Sequence, residues 1–302
     1  MKRVAAIDCG TNSVRLLIAD VSGDGLTDVT RQMRIVRLGE GVDKTGRLSP
    51  AAIERTRVAL VDYAADIARS GVGAARMVAT SASRDAANAA DFQAMVRQVL
   101  GFDPEVITGD EEARLSFTGA VRGLTAEPPY LVVDIGGGST EFVVGTTGVD
   151  AAISVDIGCV RMTERHLHGD PPTPDQIAAA EADVTAAVDR ALAAVDGRRA
   201  RTLVGLAGSV TTVTALALDL PEYDPARIHR ARISAADVAK VTADLLGKTA
   251  EQRLATPVMH PGRADVIGAG ALILRTIVDR SGADSVIASE SDILDGIAYS
   301  LA

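Results

Sequence analysis

Apolar residues run unbroken from Val4 to Ile7, give way to the polar segment Asp8-Cys9-Gly10-Thr11-Asn12-Ser13, and resume over Val14-Arg15-Leu16-Leu17-Ile18-Ala19. Short apolar runs bounded by turn residues predict a strand, a tight polar turn and a second strand. Leu131-Val132-Val133 leads in the same way into Asp134-Ile135-Gly136-Gly137-Gly138-Ser139-Thr140, and Glu141-Phe142-Val143-Val144 carries on beyond it. The pattern Asp-x-Gly-x-x-Ser therefore occurs twice, at Asp8 and Asp134, 126 residues apart. It reads as a divergent internal repeat with one copy in each half of the chain.

Elsewhere the apolar spacing turns helical. Ser49-Pro50 is a helix start, with Ser as cap and Pro at the first helical position, and Ile53, Val58, Leu60, Val61, Ala64 and Ile67 follow. Residues 76–81 predict a strand entering a loop, and residues 91–100 a helix. In the second half Thr173-Pro174 opens an Ala-rich helix reaching about Val195. Thr202-Leu203-Val204 is a strand ahead of Gly205-Leu206-Ala207-Gly208-Ser209, and a helix from Val210 to Leu218 follows. Strands alternating with helices point to α/β layers. Gly119, Gly123 and Pro128-Pro129 cluster between patterned segments and place a boundary near residues 120–128.

A chain of 302 residues is longer than one core usually holds, so two domains are expected. With 47% hydrophobic and 24% charged residues, disordered, collagen-like and disulfide-scaffold chains are excluded. A net charge of −9 argues against a nucleic-acid or membrane-surface partner, and the absence of Trp with four Tyr and four Phe leaves few platforms for stacking bases. Cys9 and Cys159 make neither a zinc framework nor a secreted disulfide set and read as reduced thiols. The first apolar run is too short for a signal peptide, and Val266–Leu274, closed by Arg275, cannot span a bilayer. A cytoplasmic location is expected.

A turn of the form Asp-x-Gly-x-x-Ser offers successive backbone N–H groups to an anion, and glycine lets a ligand approach the main chain. The leading carboxylates, Asp8 and Asp134, suit a Mg²⁺ ion joined to phosphate oxygens. Gly205-Leu206-Ala207-Gly208-Ser209 repeats the logic where a strand hands over to a helix N-terminus. Arg84, among Ser and Thr hydroxyls in Thr80-Ser81-Ala82-Ser83-Arg84, is a candidate phosphate clamp or a partner in a surface ion pair. Thr108 and Glu111 fit a capping box, which gives Glu111 a structural duty and leaves Glu112, about 100° further round the helix, as the candidate general base.

Together these residues resemble the Ppx/GppA phosphatase family, the exopolyphosphatases and guanosine pentaphosphate phosphohydrolases of the actin, Hsp70 and sugar-kinase superfamily. The resemblance rests on Asp8-x-Gly-Thr-Asn-Ser-x-Arg15-Leu-Leu, Thr80-Ser-Ala-Ser-Arg84-x-Ala-x-Asn88, Gly109-x-Glu-Glu-Ala-Arg114, Asp134-Ile-Gly-Gly-Gly-Ser-Thr-Glu141, Gly158-Cys-Val-Arg161 and Gly205-x-Ala-Gly-Ser-Val, in family order. It implies an α/β fold of two ribonuclease H-like domains facing across a cleft. Residues 1–122 form the first and 123–302 the second, with a terminal helix over about 290–302 packing back on the first. It further implies Glu112 as catalytic base, and Asp8, Asp134 and Glu141 as carboxylates for Mg²⁺ or Mn²⁺. Asn12, Ser13, Arg15, Arg84, Gly137, Gly138 and Ser139 are implied as phosphate ligands, with Gly208 and Ser209 lining the phosphate path.

The chain departs from the family in ending without a helical HD-type region and in carrying Leu294 where Leu-Arg-Glu-Gly is common. The expected activity is metal-dependent release of orthophosphate from inorganic polyphosphate, with short chains preferred, by a homodimer. Two alternatives stay open, a guanosine pentaphosphate phosphohydrolase and a non-hydrolytic ATP-binding regulator. Arg198-Arg199-Ala-Arg201 and Arg227-Ile-His229-Arg230-Ala-Arg232 are the candidate track for a polyanion, or solvated surface charge.

Overall fold

Strict alternation along the first strand decides how the first half of the chain is layered. The computed structural model describes residues 1–23 and 25–302, and no helix among them is long and apolar enough to cross a membrane. The chain divides into two units, Met1–Gly119 with Ile293–Ala302, and Ala120–Asp292. The first contains β1 (Lys2–Cys9), β2 (Ser13–Ser22), β3 (Gly25–Ile35), α1 (Val42–Thr45), α2 (Pro50–Arg69), β4 (Ala74–Ala79), α3 (Ser81–Asp85), α4 (Ala89–Leu100), β5 (Glu105–Val106) and most of α5 (Gly109–Val121). The second follows with β6 (Tyr130–Ile135), β7 (Thr140–Gly145), β8 (Val149–Val155), α6 (Cys159–His166), α7 (Pro174–Ala194) and β9 (Thr202–Leu206). It continues through α8 (Ala207–Ala217), α9 (Pro225–Ile228), β10 (Arg232–Ser234), α10 (Ala235–Gly247), α11 (Ala250–Leu254), α12 (Ile267–Ser281) and β11 (Ser285–Ala288). Helix α13 (Ile293–Ser300) then returns to the first unit.

The first sheet has the order β3-β2-β1-β4-β5, with β1, β2 and β3 antiparallel in turn and β1, β4 and β5 parallel. The second has the order β10-β11-β9-β6-β7-β8. Strands β6, β7, β8, β9 and β11 match β1 to β5 in order and direction, and β10 is an added antiparallel edge. The repeated Asp-x-Gly-x-x-Ser segment is thus the turn of the first hairpin in each of two sheets of one design. The α/β layering expected from the sequence is present, and each parallel crossover in it carries helices.

In β1, Ala5, Ile7 and Cys9 join the apolar cluster under α2 and α4, whereas Val4 and Ala6 join a second cluster on the opposite face. Asp8 shares the second face by the same period of two. Both long helices begin as their caps predict. Ser49 accepts from Ala52 N, and Thr173 forms a full capping box with Gln176. Helix α8 starts at Ala207, three residues ahead of the expected Val210, so the Gly208-Ser209 pair lies in its first turn.

Helix α13 closes the second face of the first sheet. Ile293, Leu294, Ile297 and Ala298 pack with Val4, Ala6, Leu17, Ala19 and Leu115, so Leu294, which stands where the family often has arginine, is a core residue. Asp295 is buried and accepts from both Nη atoms of Arg31, at 2.8 and 3.1 Å. Burial opposes the Arg31 charge, but Asp295 and Asp28 outweigh it and hold its pKa above the ordinary value. A Cβ on Gly296 would lie 2.0 Å from the Leu115 carbonyl oxygen. Gly296→Ala is therefore expected to cost about 1–3 kcal/mol, the range for overpacking, read as a lowered Tm in thermal unfolding. A wild-type Tm would show that the α5 to α13 contact yields without cost.

Candidate functional site

In the first unit the β1–β2 turn is closed by Gly10 N donating to Ser13 O at 3.0 Å. Two of its carbonyls are occupied, since Thr11 O accepts from Gly39 N and Asn12 O from both Val36 N and Arg37 N. The oxygens that would repel an anion are thereby turned into the protein, and the Asn12 carboxamide makes no hydrogen bond to a described residue. Thr11 Oγ1 meets Ser81 Oγ at 2.9 Å, which ties the turn to α3. Asp8 lies directly opposite Arg15 in the β1–β2 register, and Oδ2 accepts from Arg15 Nη2 at 2.6 Å and Nε at 3.0 Å. Of the expected phosphate ligands, Arg15 is therefore held first of all by a carboxylate.

Glu112 is 8% exposed in the first turn of α5 and pairs with Arg84 Nη1 at 3.1 Å. The same Nη1 donates to Ile107 O, which leaves Arg84 Nε and Nη2 without a partner among the described residues. The sequence-predicted clamp and base are thus brought together in one unit. The capping box forms only by half. Thr108 Oγ1 accepts from Glu111 N at 3.2 Å, but the Glu111 carboxylate is taken by Arg76 at 2.6 Å instead of turning back to the cap. Arg76 also binds Glu105, a partner that no local pattern around residue 111 reveals.

The second unit repeats the turn, with Gly136 N donating to Ser139 O at 3.0 Å. Helix α6 holds its carbonyls. Gly136 O accepts from Cys159 N, Gly137 O from Val160 N and Arg161 N, and Gly138 O from Arg161 Nε at 2.7 Å. This needs glycine at 158, because a Cβ there would lie 2.4 Å from Gly137 C and O. Asp134 lies opposite Glu141, and Glu141 opposite Ser154. Asp134 is 8% and Glu141 1% exposed, and Ser154 Oγ donates to Glu141 Oε1 at 2.7 Å. Where the first copy sets an arginine against its aspartate, the second sets a glutamate.

At the β9–α8 turn the expected residues lie close to an arginine. Ser209 is 2% exposed and packs against Gly270, where a Cβ would lie 2.2 Å from its hydroxyl. Gly208 lies beneath the Arg263 guanidinium, whose nearest atom is 1.5 Å from where a Cβ would stand. Ser209 is therefore spent on packing, and Arg263 is the charged group at this turn. Sequence reasoning missed it, because a lone Arg in Pro261-Gly262-Arg263 carries no local pattern. Ala207 at φ +66° holds a left-handed conformation costly for a non-glycine residue at the same turn.

Asp134 and Glu141 form a donor set that fits Mg²⁺ or Mn²⁺, hard cations held by one or two carboxylates with other positions left to water and phosphate. Among the described residues no three His, Cys, Asp or Glu side chains form a cluster that could hold a metal ion.

The chain matches the model of the Ppx/GppA phosphatase family over residues 17–302. It is 54% identical over 317 residues to Exopolyphosphatase 2 of Mycobacterium tuberculosis, covering all of this chain and 99% of that protein. A crystal structure of an exopolyphosphatase-like protein superposes with a TM-score of 0.96 at 45% identity, over 99% of this chain and 97% of that one. The PPX-GPPA enzyme of Aquifex aeolicus gives a TM-score of 0.82 at 33% identity, over 99% of each chain.

Both cysteines are fully enclosed beside these turns. Burial pushes the Cys9 thiol well up, with the Asp8 charge adding to the effect, and burial raises Cys159 against smaller opposing influences from Arg263, Ser209 and the Val160 N–H. The thiolate is the reactive form, so raised values slow alkylation. Iodoacetamide at pH 8 is expected to leave the native protein unlabelled while adding two groups to the unfolded chain, as read by intact mass. Rapid labelling of the native protein would show that one turn opens.

Proposed function

We propose that this chain, which belongs to the Ppx/GppA phosphatase family, is an exopolyphosphatase that releases orthophosphate from the end of inorganic polyphosphate. The observation that carries the reading is a turn whose Gly136, Gly137 and Gly138 carbonyls are held by α6, with the buried Asp134 and Glu141 opposite each other in the hairpin that it closes. N–H groups whose neighbouring carbonyls are held elsewhere favour phosphate oxygens. The identity to Exopolyphosphatase 2 over the whole chain supports polyphosphate as the substrate class.

In this reading Gly137, Gly138 and Ser139 present N–H groups to phosphate in the second unit, and Asn12 and Ser13 do so in the first. Asp134 and Glu141 hold Mg²⁺ or Mn²⁺, which when bound neutralises phosphate charge and polarises the phosphorus–oxygen bonds. Glu112 orients a water molecule and takes its proton as the oxygen attacks the terminal phosphorus. The bridging oxygen then leaves with the shortened chain. Arg84 fixes the Glu112 carboxylate through Nη1 and keeps Nε and Nη2 for the phosphate being transferred. Positioning and charge neutralisation carry most of such a reaction. A reduced cytoplasm suits the two enclosed, unbridged cysteines. A homodimer belongs to the same reading, and sedimentation at micromolar concentration tests it.

Glu112→Gln is expected to lower kcat by at least ~10², the size of a general-base contribution, with little change in KM. Glu111→Gln should keep most of the activity, since its pair with Arg76 is half exposed and such pairs contribute about 0–1 kcal/mol. A larger loss at Glu111 would reverse the two roles.

Asp134→Asn and EDTA should each abolish phosphate release while leaving the Tm near that of the wild type. Full turnover in EDTA would remove the metal from the mechanism. Orthophosphate release from polyphosphate and from guanosine pentaphosphate, compared as kcat/KM, ranks the two substrates.

A further inference from the structure

The two arginine-rich segments of the second unit lie far apart in sequence, yet Arg198, Arg201 and Arg232 line one cavity of about 280 Å³. Its walls include Leu131, Thr202 and Ser285, from the entry ends of the parallel strands β6, β9 and β11. The phosphate turn of this unit follows the exit end of β6. Leu131 and Gly136 are five residues apart, which at about 3.3 Å per residue separates cavity and turn by about 16 Å of sheet. The arginines thus lie at the opposite end of the sheet from the turn. They form a place of their own.

Most arginines of this acidic chain are neutralised by carboxylates, but Arg198 and Arg232 are not. Arg198 donates Nε to the Arg280 carbonyl, and Arg232 donates Nη1 to Ser285 Oγ at 2.9 Å. Neither has a carboxylate partner among the described residues. Arg201 has a loose 3.5 Å pair with Glu127 in which both side chains are more than 60% exposed, a contact of little strength. One acid, Asp284, lines the cavity, so three cations less one anion leave a charge of +2. Guanidinium groups that line one cavity repel one another unless an anion joins them, and their planar forks match pairs of phosphate oxygens. The cavity is too roomy for one tetrahedral anion and sits at the small end of ligand pockets, which begin at about 300 Å³.

We propose that this cavity is a second anion site, separate from the phosphate turns, that binds a diphosphate group through Arg198, Arg201 and Arg232. The group is either inorganic or the diphosphate of a nucleotide. The proposal is independent of the exopolyphosphatase reading, because it concerns binding and not turnover.

Amide resonances followed during titration with sodium pyrophosphate in EDTA test it on the full chain. Saturable shifts are expected at Gly197, Gly282 and Ser285. The exposed double variant R198A/R232A should weaken them at least tenfold while leaving the response of Gly137 and Gly138 unchanged, and R201A should weaken them at least threefold. A second titration with adenosine diphosphate separates the sources. Equal affinity for both ligands assigns the site to the diphosphate alone, and at least tenfold tighter adenosine diphosphate assigns it to a nucleotide. No saturable shift at the three amides would overturn the proposal. So would shifts that sulfate reproduces at equal ionic strength, or shifts that survive in R198A/R232A with its Tm unchanged.

Discussion

The register of the first hairpin in each sheet is the constraint on which the candidate site depends. One bond, from Gly10 N to Ser13 O or from Gly136 N to Ser139 O, fixes the turn, and the pairing that follows places residue 8 against 15 and residue 134 against 141. A slip by one residue would send every side chain to the other face of its sheet. Asp8 and Asp134 would then enter the apolar clusters that now hold Ile7 and Ile135. Burying a carboxylate in either cluster is costly, so the core and the position of the acids are specified together.

Within that shared frame the two copies differ in charge. Asp8 finds its counter-ion inside the protein, whereas Asp134 and Glu141 share a face with a hydroxyl from Ser154. Divergence at a single position, 15 against 141, thus changes the chemistry beside each turn.

What could be read from the sequence was local. Strand runs around a repeated turn, the Ser49 and Thr173 caps, and the separation of Glu112 from Glu111 all lie within a few residues of their cause. The hydroxyls around Arg84 marked it as a clamp and family resemblance carried Glu141 into the candidate site, and the structure sets each beside an acid or hydroxyl. The rest depends on contacts across long stretches of chain. Arg76 reaches Glu111 from 35 residues away, Gly158 allows α6 to hold the Gly136–Gly138 carbonyls, and Arg263 covers Gly208. A capping pattern cannot show that another side chain will claim its glutamate. Nor does an arginine cluster state which end of a strand it will meet.

Helix α13 has a consequence for how the molecule is made. Its residues complete the face of the first sheet that carries Val4 and Ala6, and Asp295 completes the ion pair of Arg31. During synthesis the second unit has all of its residues available once Asp292 has emerged, while the first still lacks its closing helix. Domains generally fold as units as the chain appears. In this chain one face of the first sheet can close only after the whole second unit has been synthesised.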